Sequence, residues 1–129
     1  EALHHFKAKK VSVASPYPEW NNQKLHAYLE AAGFEVLNVE GEPRAAKAGP
    51  QGINDQDPED VARFASGVCR PEADVLFCSC TAWRSMEVVD ELEQRTGKPV
   101  VTSNQALVWA AFRKAGVQQP IHGYGKLLE

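Results

Sequence analysis

Residues 73–81 read Ala73-Asp74-Val75-Leu76-Phe77-Cys78-Ser79-Cys80-Thr81. The apolar run from Val75 to Cys78 is short and uninterrupted, with an acid before it and hydroxyl residues after it. Such a run predicts a strand buried on both faces, as the strands of a parallel sheet are. The same grammar recurs on either side. From Lys10 to Ser15, Val11 and Val13 mark a strand, Pro16-Tyr17-Pro18 a turn, and Trp20-Asn21-Asn22 a helix entry. Leu25, Tyr28, Leu29 and Ala32 recur at helical spacing up to Gly33, and Phe34 to Val39 forms the next strand.

Residues 40–56 carry three Gly and two Pro without periodicity and are expected to form a long connection, a candidate flap. Asp57-Pro58-Glu59-Asp60 has the chemistry of a helix start: a capping side chain, Pro at the first helical position and acids in the first turn. Val61, Phe64, Ala65 and Val68 supply that helix's buried face. Past the central run, a helix is expected over Ser85 to Arg95, a strand over Lys98 to Thr102, and a last helix capped by Ser103 or Asn104. The last helix should bury Leu107, Val108, Ala111, Phe112 and Ala115 and stop at Gly116. Residues 121–128 are irregular, and Glu1 to Phe6 reads as the tail of a helix.

Strand and helix thus alternate, which predicts an α/β fold of three layers: a four-stranded parallel sheet with helices on both faces and right-handed crossovers. In such sheets the working residues lie where strands end. Three segments qualify: Ser15-Pro16-Tyr17, Ser79-Cys80-Thr81 and Thr102-Ser103-Asn104.

At 129 residues and 43% apolar content the chain is sized for one domain. Fourteen basic and 17 acidic residues are scattered, leaving no basic stripe for a phosphate backbone, so nucleic acid is not an expected partner. No apolar run reaches the roughly 20 residues of a membrane helix. An odd count of three cysteines favours free thiols and a cytoplasmic setting. His4, His5, His26 and His122 have no ligand partners at metal spacing, so no metal site is expected.

Cys69 and Cys78 read as small core residues. Cys80 sits just past the strand, near the start of the following helix, where backbone N–H groups and the helix dipole would favour a thiolate or hold a carboxylate. A rival chemistry uses the same segment: Cys78 through Ser85 fits the Cys-x5-Arg-Ser phosphate loop of tyrosine phosphatases, with Arg84 as the clamp. Against it, the loop lacks the glycine that would relax a tight anion cradle, and Trp83 sits inside it.

Three further runs accompany Ser79-Cys80-Thr81: Arg70-Pro71-Glu72-Ala73-Asp74 before it, Glu87-Val88-Val89-Asp90-Glu91-Leu92-Glu93 after it, and Gly97-Lys98-Pro99-Val100-Val101-Thr102-Ser103-Asn104-Gln105-Ala106. With Ser15-Pro16-Tyr17-Pro18 upstream, nearly the whole chain resembles the carboxyl-terminal half of the maleate cis-trans isomerases and arylmalonate decarboxylases of the Asp/Glu racemase superfamily. The resemblance implies that residues 1–129 are one of two similar α/β domains facing each other across a cleft, in a chain about twice as long. It implies an isomerase or racemase acting beside the carboxylate of a small carboxylic acid, without metal or organic cofactor, and inactive as an isolated half. Cys80 matches the second-domain catalytic cysteine and Tyr17 a tyrosine that hydrogen-bonds a substrate carboxylate. Ser79 and the backbone at Thr81 match part of the carboxylate pocket, and Ser103 and Asn104 a structural or pocket-lining element. The family's asparagine before the helix at Asp57 aligns near Pro50, and Asn54, too close to Cys80 in sequence for a clean match, is the candidate for that substrate contact. The missing amino-terminal domain, the substrate and a second copy are the partners to be expected. An arylmalonate-type decarboxylase and a carboxylate-binding domain without turnover are the alternatives; Thr81 after the cysteine, where the decarboxylases have glycine, favours isomerisation.

Overall fold

A computed structural model describes residues 1–129. The elements are α1 (Ala2–His5), β1 (Lys10–Ser15), α2 (Glu19–Ala31), β2 (Glu35–Gly41), α3 (Pro43–Asn54), α4 (Pro58–Val68), β3 (Val75–Cys78), a 3-10 segment (Arg84–Val88), α5 (Val89–Thr96), β4 (Val100–Thr102) and α6 (Ser103–Ala115). All neighbouring strands are parallel and the sheet order is β2-β1-β3-β4. This is the four-stranded parallel sheet with helices on both faces that the alternation predicts. No helix is long and apolar enough to cross a membrane.

Because side chains alternate along a strand, each strand feeds two cores. Ala14, Leu76, Cys78 and Val100 pack with Val61, Ala65 and Val68 of α4 and with Val89 and Leu92 of α5. Val11, Val13, Val75 and Val101 face the other way, onto Leu3, Leu29, Phe34 and Leu127. The irregular tail is therefore part of the second core. It is tied down where Gly125 N–H donates to Asp90 Oδ1 at 2.7 Å.

Four expectations are corrected. Residues 40–56 are not a flap: β2 runs on to Gly41, and α3 follows with Pro43 at its first position and the Glu42 carboxylate accepting the Ala45 N–H at 2.7 Å. Glu42-Pro43 is the same start signal as Asp57-Pro58 with a longer acid, masked by the Gly and Pro residues beyond it. Gly49, at φ 70° and ψ −165°, together with Pro50 breaks α3 into two turns of different direction. The helix expected from Ser85 opens as the 3-10 segment and becomes α-helical only at Val89. The cap of α6 is Thr102, in a reciprocal capping box with Gln105, rather than Ser103 or Asn104.

The fourth correction concerns burial. In α6 only Gln105 is fully buried, and of the face expected to be buried, Leu107 is 66% exposed and Ala111 and Ala115 are exposed as well. Apolar spacing identifies a helical face, but it does not supply the surface that would cover it.

Glu42 is itself nearly fully buried. Burial alone would raise its carboxyl, but the Ala45 N–H, the Arg44 guanidinium and the Gln56 amide outweigh burial and hold the group below the usual carboxylate range. A depressed folded pKa contributes stability that is present above the unfolded value of about 4.3 and is lost as pH falls through the folded value. Glu42→Gln should therefore cost about 1–3 kcal/mol near neutral pH, and the difference should close below about pH 4. Urea unfolding of both proteins across that range measures it.

Candidate active site

The chain leaves β1 for β2 on one side and for β3 and β4 on the other, so the order of the sheet reverses between β1 and β3. In open parallel sheets the crevice outside the carboxyl ends of strands at such a reversal is where ligands bind. The Ser15-Pro16-Tyr17 turn and the Ser79-Cys80-Thr81 turn leave β1 and β3 at this point, and the first turn of α6 lies beside them.

The β1 turn is held by a compact set of bonds. Ser15 Oγ donates to Asn22 Oδ1 at 2.6 Å and accepts the Tyr17 N–H at 3.2 Å, while Asn22 Nδ2 donates to the Tyr17 carbonyl at 3.2 Å. Gly41, at the end of β2, passes close to this turn. A β-carbon at Gly41 would lie 2.2 Å from the Tyr17 carbonyl oxygen and 2.8 Å from Asn22 Nδ2.

The β3 turn begins where the Ser79 N–H donates to the Ala14 carbonyl at 2.9 Å, carrying the β1–β3 pairing one residue past the strand. Cys80 then takes φ 114°, a conformation that costs a residue with a side chain about 1–3 kcal/mol. Its N–H donates to Ser103 Oγ at 3.1 Å, and the Thr81 carbonyl accepts from Asn104 Nδ2 at 3.0 Å. The N–H groups of Thr81 and Ala82 have no acceptor within the protein. No α-helix starts directly after Cys80, contrary to the dipole argument from sequence; the next element is the 3-10 segment, four residues on, and the helix end beside the turn is that of α6.

The β1–β3 pairing, carried on by the Ser79 N–H, sets the turns after the two strands side by side, with Tyr17 near enough to Ser79 and Cys80 for both to act on its hydroxyl. Burial pushes the Tyr17 hydroxyl up, Ser79 works against this, and Cys80 adds to the rise. Tyr17 is a neutral hydrogen-bond donor in the neighbourhood of a half-buried thiol. A neutral donor and a thiol at one point, with unpaired N–H groups alongside, can bind an anion and exchange a proton next to it.

Of the residues singled out in sequence, Tyr17, Ser79, Cys80 and Thr81 converge here. Asn104 reaches the site through its bond to Thr81, and Ser103 through its bond to Cys80. Asn54 is exposed at the end of α3 and makes no hydrogen bond to any of them. Cys78 does not form a phosphate loop. Its side chain is fully buried in the core, burial first and neighbouring Cys69 second drive its thiol far above the ordinary range, and Arg84 is occupied by both oxygens of Glu87 at 2.7 and 2.9 Å. The site roles of Asn22 and Gly41 are not legible in the sequence, because they arise where the first turns of α2 and the end of β2 close on the turn after β1.

The family model described as arylmalonate decarboxylase matches residues 1–128. The chain belongs to the maleate isomerase and arylmalonate decarboxylase group of the Asp/Glu racemase superfamily. It is 30% identical over 130 residues to the maleate isomerase of Pseudomonas putida, covering 99% of this chain and 50% of that one. With the arylmalonate decarboxylase of Bordetella bronchiseptica it shares 28% over 127 residues, covering 94% and 50%. Among solved structures it is similar to a cysteine-to-serine mutant of Nocardia farcinica maleate cis-trans isomerase that carries a covalently bound succinylcysteine intermediate, with a TM-score of 0.88 at 25% identity over 98% of this chain and 51% of that one. The chain spans about half the length of the curated relatives it matches.

Close approach at Gly41 is a testable requirement of the site. Gly41→Ala should lower stability by about 1–3 kcal/mol through overpacking against Tyr17 and Asn22. Gly67→Ala, where nothing lies within 4 Å of the new β-carbon, should be neutral or slightly stabilising in the same denaturation experiment.

Proposed function

We propose that this chain is the carboxyl-terminal half of a cysteine-dependent isomerase or racemase acting next to a carboxylate of a small acid, and that Cys80 is its proton-exchanging thiol. The observation that carries the reading is that Cys80, in its left-handed conformation, and Tyr17 leave adjoining strand ends at the point where the strand order reverses.

The chemistry follows from that pairing. The substrate carboxylate is held by the Tyr17 hydroxyl and the unpaired N–H groups of Thr81 and Ala82. When the reactive group of the partner half takes the α-proton or adds to the double bond, the electron pair left on the carbon next to the held carboxylate spreads onto it as an enediolate, which these fixed donors stabilise without reorganising. The Cys80 S–H proton passes to that carbon, leaving a thiolate; in the reverse direction the thiolate takes the proton back. A partner half supplies the reactive group on the opposite face of the substrate. The Nocardia farcinica enzyme supports such a division of labour, because a mutant lacking one cysteine still carries a succinyl group on another. Metal or organic cofactors have no step in this scheme, and a second copy of the protein is a further proposed partner.

Isomerisation is favoured over decarboxylation by Thr81 after the cysteine. The test is turnover by protein carrying both halves, in heavy water, with maleate, aspartate and an arylmalonate supplied separately. Fumarate formation or deuterium at the α-carbon is expected, falling by about a hundredfold or more in Cys80→Ser. Unimpaired turnover in that variant overturns the role of Cys80, and carbon dioxide release from the arylmalonate alone assigns the decarboxylase reaction instead.

A further inference from the structure

Behind the Cys80 turn, on the side away from α6, runs a chain of buried polar groups that the proposed chemistry does not use. Trp83 is 1% exposed, and its indole Nε1–H donates to Gln56 Oε1 at 2.6 Å. Gln56 Nε2 in turn donates to Glu42 Oε2 at 2.6 Å, and Glu42 is also held by the Ala45 N–H and by Arg44, which reaches on to Asp60 at 3.0 Å. Gln56 and Glu42 are both buried.

The polarity of this chain permits only one arrangement. An indole N–H can only donate and a carboxylate can only accept, so the Gln56 amide must point its oxygen at Trp83 and its nitrogen at Glu42. A flipped amide would set donor against donor and acceptor against acceptor in a buried site. The position of the indole is thereby fixed relative to α3, α4 and the end of β2.

Trp83 closes the Cys80 turn: its backbone N–H donates to the Cys80 carbonyl at 3.4 Å. On the opposite side the turn is fastened by Ser103 to the Cys80 N–H and by Asn104 to the Thr81 carbonyl. A left-handed cysteine persists only when the structure around it over-determines its conformation. Ser103 and Asn104 of α6 meet that need on one side, and Gln56 and Glu42 meet it through the Trp83 indole on the other.

We infer that Gln56, oriented by Glu42, is a positioning residue for Cys80: through the Trp83 indole it holds the turn that sets the direction of the thiol. This rests on Cys80 being the working thiol, yet it is read on the thiol itself and needs no turnover.

The experiment is alkylation of the folded protein by iodoacetamide at one fixed pH, with modification at Cys80 resolved from that at Cys69 and Cys78 by peptide mass. Trp83→Phe and Gln56→Leu should each change the Cys80 rate about tenfold, with the Cys69 rate unaffected. Leu29→Ala, which removes core from the other face of the sheet, should lower stability and leave the Cys80 rate in place. Gln56→Glu keeps an acceptor for the indole and should bring the rate back toward the parent. If Gln56→Leu does not fold, Trp83→Phe decides alone. A Cys80 rate within twofold of the parent in folded Trp83→Phe, or the same change in Leu29→Ala, overturns the inference. Loss of turnover in Cys80→Ser with no such change would leave the role of Cys80 standing and remove only the positioning by Gln56.

Discussion

The parallel pairing of β1 with β3 is the contact on which the rest of the molecule depends. It joins segments more than 60 residues apart in sequence, running from Val11 opposite Val75 to Ala14 opposite Cys78. Its start is clamped by Asp74, whose Oδ2 accepts the N–H groups of Lys9 and Lys10 at 2.9 and 2.8 Å. Those two bonds hold the Asp74 carboxyl below its usual range. At the other end the pairing continues into the Ser79 N–H and the Ala14 carbonyl. A slip of β1 by one residue against β3 would turn Val11 and Val13 toward α4 and α5 while Val75 kept its place in the other core, and would shift the turn that carries Tyr17 relative to Cys80.

Everything at the site is built outward from that register. Tyr17 and Cys80 follow adjacent strand ends, so fixing the strands brings their turns within reach of each other. Each turn is then secured by a neighbour: Asn22 and Gly41 close on the first, Ser103, Asn104 and Trp83 on the second. The strained φ of Cys80 is local, whereas its support is distributed over α6 and the Glu42–Gln56–Trp83 chain. Removing Gln56 from that chain would leave the Trp83 indole N–H and a Glu42 oxygen each short of a buried partner as well as loosening the turn.

Residues 40–56 show where reading by composition misleads. Gly and Pro normally punctuate structure, but here Pro43 opens a helix, Gly49 and Pro50 redirect it, and Gly41 clears space for Tyr17. The segment is ordered by one buried carboxylate, Glu42, whose partners come from 2, 3 and 14 residues downstream. The apolar face of α6 is the converse case. Its spacing was legible as Leu107, Val108, Ala111, Phe112 and Ala115, yet most of it remains open because burial depends on what lies opposite.

What the sequence determined by itself is what depends on near neighbours. The doubly buried strand at Val75 to Cys78, the alternation of strands and helices, the stops at Gly33, Gly97 and Gly116, and the placement of Ser15-Pro16-Tyr17 and Ser79-Cys80-Thr81 at strand ends all follow from backbone geometry and hydrophobic period. The family was legible for the same reason, in short motifs along the chain. The tertiary structure decided which strand ends meet, that Cys78 turns into the core while Cys80 stays half-open beside Tyr17, and that Glu42, Gln56 and Trp83 form one line of bonds behind the thiol. Those outcomes are set by contacts across the sheet, and the polarity of a buried group is satisfied by whichever partner the fold brings to it.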